Sequence, residues 1–142
     1  KTQLAISYGL PTKGRVFISV RDRDKRAGVS IARDLVGMGL TLVGTTGTAK
    51  ALRAAGIDCK SVRRTSEMRP NIGTMISGGD IQLIINTPGG YDTRDDFYTL
   101  RSLAVRYHVT SATTLAGAQA MVEAIRTARE GDLEPVALQD LK

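Results

Sequence analysis

The sequence predicts an α/β domain: a mainly parallel sheet of about five strands, in three layers, with helices on both faces. Two observations predict it. Short β-type runs alternate with helical runs along the chain, the order that parallel crossover units require. No linker, internal repeat or low-complexity segment divides the 142 residues, a length that fits one domain with a real core.

Taken in order, Val16–Val20 reads as a buried strand introduced by the turn residues Pro11 and Gly14. From Asp24, Ile31, Leu35 and Met38 recur at i, i+4 and i+7, so an amphipathic helix is expected, ended by Gly37 or Gly39. Thr41–Val43 is the second strand, and Thr48–Ala55 the second helix, closed by Gly56 at its C′ position. Cys59–Val62 suits a short third strand. After Pro70, Ile72, Met75 and Ile76 mark a helical run that stops at Gly78-Gly79. Ile81–Ile85 is the clearest buried strand. Phe97, Leu100, Ala104 and Tyr107 mark a helix, Val109–Thr113 a strand, and Ala118, Met121, Val122 and Ile125 one face of a last helix from about Leu115. The core is expected over about 14–130, with an irregular tail over 131–142 carrying a short strand at Val136-Ala137.

Composition narrows the function. Hydrophobic residues make up 42% and charged residues 24%, globular values. No apolar run approaches membrane-spanning length, and the single Cys59 forms no internal disulfide, which suits a cytoplasmic protein. The net charge of +6 is compatible with nucleic acid, a membrane surface or a phosphorylated small ligand. With 4% aromatics and no stacking rings among the basic residues, neither nucleic acid nor a membrane is the expected partner. No Cys/His cluster has metal-ligand spacing, so no metal site is expected. His108, the only imidazole, falls at a helix C-terminus on the opposite edge, and Cys59 reads as a small core residue. A chain that begins at Lys1 is expected to be a piece of a longer one.

Ligands of open α/β sheets sit beyond the carboxyl ends of the strands. There the sequence gathers Lys25, the Gly44-Thr45-Thr46-Gly47-Thr48 turn, Arg64, and Asn86 with Thr87. Gly44 and Gly47 are expected to let the turn tighten so that successive N–H groups point at one spot. The following helix adds unpaired N–H groups and its positive dipole end. Such a turn cradles a phosphate or carboxylate; the plainer alternative is that Thr48 only caps the helix. Lys25, Arg64 and Asn86 on the same edge favour the cradle. It is neither a P-loop nor a dinucleotide GxGxxG. Asp22, Asp24, Asp92, Asp95 and Asp96 could reach this edge, yet loop carboxylates are usually solvated or caps. With a cradle and no obvious catalyst, no catalytic residue is assigned, and binding is favoured over turnover.

The stretches GRVFISVRDRDK, GTTGTAKALRAAGI, EMRPNI, DIQLIINTPGG and TTLAGAQAMVEAI, in order and nearly end to end, resemble the C-terminal regulatory domain of the carbamoyl-phosphate synthetase large subunit, the methylglyoxal-synthase-like domain. The resemblance implies a Rossmann-like fold over 1–142, cut from a large ATP-dependent ligase using Mg or Mn. That ligase makes carbamoyl phosphate from glutamine, bicarbonate and ATP for pyrimidine and arginine synthesis. The domain itself would need no cofactor. It would bind UMP as inhibitor, IMP as activator or both, and would act through the rest of the large subunit and the glutaminase small subunit. Carried over by motif are Lys25, Thr45, Thr48 and Asn86, with Arg64 where the family commonly has a lysine. Thr46, Gly47 and Thr87 are neighbours in the same loops. Pro88 replaces a common threonine. Ser111 and Thr113 stand where ornithine-responsive members have a tyrosine and a threonine, so nucleotide control is expected rather than ornithine activation. Methylglyoxal synthase, the alternative as a stand-alone enzyme on a small phosphorylated substrate, resembles the chain in TTGT. It uses an aspartate where Arg69 stands here.

Overall fold

The computed structural model describes residues 5–6, 13–88 and 94–133, with side chains described over 13–88 and 94–130. Among the described residues six strands form one sheet: β1 (Ala5–Ile6), β2 (Arg15–Ser19), β3 (Thr41–Gly44), β4 (Lys60–Ser61), β5 (Leu83–Asn86) and β6 (Thr110–Ala112). The helices are α1 (Lys25–Gly37), α2 (Thr46–Ala54), α3 (Ile72–Ser77), α4 (Arg94–Arg106) and α5 (Leu115–Leu133). The strand order is β1-β6-β5-β2-β3-β4. Five strands run parallel, and β1 adds an antiparallel edge, with Ala5 opposite Ala112.

The alternation along β2 sorts the core into two layers. Val16 and Ile18 join Leu83 and Ile85 beneath α1, α2 and α5, where Ile31, Leu35, Leu52 and Ile125 pack on them. Phe17 points the other way and meets Val43, Ile84, Ile72, Ile76, Leu100 and Ala104 below α3 and α4. This is the three-layer α/β arrangement that the alternating runs predict.

Several details differ from expectation. The strand at Ala5–Ile6 was not predicted, because two residues carry no readable period. The third strand shrinks to Lys60–Ser61, both exposed at the sheet's edge, while Cys59 is buried before it. Helix α2 starts at Thr46, two residues early, and α5 runs past Gly131 to Leu133. The expected strand at Val136-Ala137 lies outside the described residues. Gly44 and Gly47, expected to let the turn tighten, both keep a φ outside the left-handed region. Gly44 is needed for space instead: a Cβ there would sit 2.6 Å from the Ile18 carbonyl oxygen, closer than van der Waals contact permits. The glycine terminators behave as read, with Gly39, Gly56 and Gly79 at positive φ; after α4 the left-handed position falls instead to His108, at φ 57.

Because β2 to β6 are parallel, the loops after Ser19, Gly44, Ser61, Asn86 and Ala112 leave from one edge. The candidate site lies there.

Candidate functional site

Helix α2 begins without a cap. Thr45 holds the N-cap position with extended backbone (φ −64, ψ 158), and its side chain makes no capping bond. The first bond closing the helix runs from the Ala49 N–H to the Thr45 carbonyl at 2.8 Å. The N–H groups of Thr46, Gly47 and Thr48 therefore have no intrahelical acceptor, and the first turn carries no acidic residue. In front of the turn lies a cavity of about 360 Å³ lined by Thr45, Thr46, Gly47, Lys50, Val62, Arg64 and Glu67.

The threonine hydroxyls do two different jobs. Thr48 is fully buried; its Oγ1 accepts from the Val20 N–H at 3.1 Å and donates to the Val20 carbonyl at 3.3 Å. It also accepts from Thr45 Oγ1 at 3.3 Å, and Thr45 Oγ1 lies 3.1 Å from Ser19 Oγ. With one proton given and two accepted, the Thr48 hydroxyl is saturated. It ties α2 to the end of β2 and does not reach the cavity, nor does it cap the helix as the alternative reading had it.

Lys25 stands on the same edge. Its Nζ donates to the Val20 carbonyl at 2.7 Å and to Asp22 Oδ1 at 3.1 Å, so it shares one acceptor with Thr48 without lining the cavity. Asp24, buried, accepts from Arg21 Nε at 2.7 Å. Thr87 is buried and its Oγ1 accepts the Arg21 N–H at 3.1 Å, which shapes the loop after β2. Asn86 closes β5, in register with Ser19, and neither Nδ2 nor Oδ1, both buried, has a partner among the described residues. Ser111 on β6, opposite Ile84, likewise has a buried hydroxyl without a partner among the described residues, and Thr113 follows the strand half-buried. Residues opposite one another share a face, so Ser19, Asn86 and Ser111 all lie on the α3/α4 side.

The far wall of the cavity is the loop after β4. Glu67 Oε1 accepts the Arg64 N–H at 2.6 Å and lies 3.7 Å from Arg64 Nε. Asp96, buried at the start of α4, accepts from Thr65 Oγ1 at 2.9 Å and from Ser66 Oγ at 3.1 Å, clamping the loop that carries Arg64. A capping box between Asn71 and Thr74 anchors its far end at α3.

Of the residues expected at the site, Thr45, Thr46, Gly47 and Arg64 line the cavity. Lys25, Thr48, Asn86 and Thr87 support the same edge. Sequence reasoning missed Lys50, Val62 and Glu67 in the lining and Ser19 behind it, whereas Asp96, named among the carboxylates able to reach this edge, is buried and clamps the Arg64 loop. Lys50 had a signal, since it follows Thr46 by four residues and so shares its helical face. Cys59 is buried, and that burial, partly offset by Arg53 and helped by Asp58, pushes its thiol up to about 11. It is a core residue, not a nucleophile.

The fold and site define a class: a three-layer α/β domain with a cationic cavity at the carboxyl edge of its parallel strands. The model of the MGS-like domain family matches residues 27–113, and the chain belongs to that family. It is 47% identical over 142 residues to the C-terminal section of a carbamoyl phosphate synthase large chain from Methanopyrus kandleri, covering 99% of this chain and 26% of that protein. A carbamoyl phosphate synthase large chain from Acidobacterium capsulatum is 43% identical over 98% of this chain and 13% of its own length. The chain thus spans about a quarter or less of these relatives. Among solved structures, methylglyoxal synthase from Elizabethkingia anophelis shares the fold, with a TM-score of 0.62, 20% identity and coverage of 80% of this chain and 79% of that one.

Proposed function

We propose that the chain is the nucleotide-monophosphate-binding regulatory part of a carbamoyl phosphate synthase large chain, without catalytic chemistry of its own. The observation that carries this is the uncapped first turn of α2 opening on a cavity walled by two cations, Lys50 and Arg64. Free N–H groups at a helix N-terminus and the helix dipole select an anion, and a phosphate matches both. The buried amide of Asn86, without a partner among the described residues, supports a second polar contact from the same edge, because a buried group without a partner is stabilised when a ligand supplies one. UMP and IMP are the proposed ligands: the phosphate goes to the α2 turn and the nucleoside toward Asn86. Thr48 holds the β2 exit against α2, and Lys25 binds the same Val20 carbonyl from the start of α1.

An effector shifts the attached synthase only through unequal affinity for its two states. Such coupling typically amounts to about 1–3 kcal/mol. The partners in this reading are the remainder of the large chain and, through it, the glutaminase subunit in the cytoplasm.

The test is calorimetric titration of the chain with UMP and with IMP, beside Lys25→Ala. Saturable heat from either nucleotide supports the reading, and heat from neither removes it. Release of methylglyoxal from dihydroxyacetone phosphate by the purified chain would instead make it an enzyme.

A further inference from the structure

Lys50 is not among the residues that the sequence or its family resemblance marks. It lines the cavity with Thr46 and Gly47, four and three residues ahead on the same helical face. Helical side chains lean toward the N-terminus, so a long one covers the turn before it. Here that turn is the uncapped one. A cation so close to a helix N-terminus gains nothing from the dipole, and no carboxylate pairs with Lys50 among the described residues. An incoming anion would satisfy both.

Arg64, the cation expected from the sequence, is already engaged. Glu67 accepts its backbone N–H at 2.6 Å and faces its guanidinium at 3.7 Å, inside the same cavity. A carboxylate already sits where an anion would use Arg64. Resting on the nucleotide reading, we infer that Lys50 is the cation that meets the effector's phosphate, and that Glu67 is an internal counter-ion which holds Arg64 back. The two wall residues then differ in kind. Lys50 binds from the start, whereas Arg64 contributes only as far as the phosphate displaces Glu67.

The experiment titrates the 142-residue chain with UMP, IMP and inorganic phosphate, using the unaltered protein, K50M, R64M, E67Q and the R64M/E67Q pair. K50M is expected to weaken binding by about 10- to 100-fold, the range for one charged hydrogen bond, and R64M by less. E67Q keeps an acceptor for the Arg64 N–H but removes the charge, so it is expected to tighten binding by about 2- to 5-fold, as for a half-exposed ion pair. That gain should vanish in the R64M background. Unchanged melting temperatures show that the variants fold. A K50M effect under twofold, an R64M loss as large as that of K50M, or an E67Q chain that binds no tighter overturns the inference. Binding of inorganic phosphate but of neither nucleotide overturns the effector reading alone, and the Lys50 comparison is then read on phosphate. A chain that binds none of the three overturns both.

Discussion

Thr48 and Cys59 show how a residue's role depends on what surrounds it. The sequence marks Thr48 as a ligand contact, and the fold spends its hydroxyl on Val20 and Thr45. Thr48→Val keeps the shape and strands the Val20 N–H in the interior. It should lower unfolding stability by about 1–3 kcal/mol, measured by urea denaturation in the absence of ligand. A ligand-contact residue would leave that unliganded stability unchanged. For Cys59 the folded thiol is raised above its ordinary 9.0 to about 11. The unfolded thiol therefore loses its proton first as pH rises, and stability falls between pH 9 and about 11, by about 2–3 kcal/mol. Below pH 9 both states are protonated and the contribution is constant. Cys59→Ala should flatten that part of the pH-stability curve. Native Cys59 should also stay unlabelled by iodoacetamide at pH 8.

At the scale of elements, the cavity exists because two independent segments are held face to face. One is α2, tied to β2 by Thr48. The other is the loop after β4, tied to α4 by Asp96. Asp96→Ala removes the acceptor of two hydroxyls while substituting no residue that lines the cavity. It should cost about 1.5–3 kcal/mol of stability and weaken nucleotide binding through loss of the Arg64 wall, a loss visible as raised hydrogen exchange in residues 63–67. Unchanged exchange there would show that the loop needs no clamp. Most of these elements were legible. The periods in β2, β5, α1 and α5 are long enough to read, and the glycines that stop the helices are placed where a left-handed residue is required. The start of α2 was misread by two residues because Thr48 looks like a cap, whereas Thr45 takes that position without using its side chain. β1 and β4 carry two residues each, too few for any pattern.

Across the whole molecule, the +6 charge and the cationic cavity point the same way. Binding of a phosphate monoester should therefore weaken from about 0.01 to 0.15 M salt, as the screening length falls from about 30 to 8 Å. Ligand at about 100 times its dissociation constant should stabilise the fold by about 2.7 kcal/mol, raising Tm by about 5–10 °C for a chain of this size. A Tm that ignores UMP, IMP and phosphate alike would speak against any anion site here.

The sequence by itself determined the layer architecture, the parallel sense of the strands, and the loops that share one edge. Those follow from local periodicity and from the geometry of parallel crossovers. Tertiary structure alone decided which side chains of that edge face the cavity. Lys50 and Glu67 come to oppose each other only through the β3–β4 pairing and the clamp from α4, contacts between residues far apart in the chain. Thr48 turned inward because the Val20 backbone, 28 positions away, needed its hydroxyl. A buried N–H must find an acceptor somewhere, and no stretch of local sequence states which one it will take.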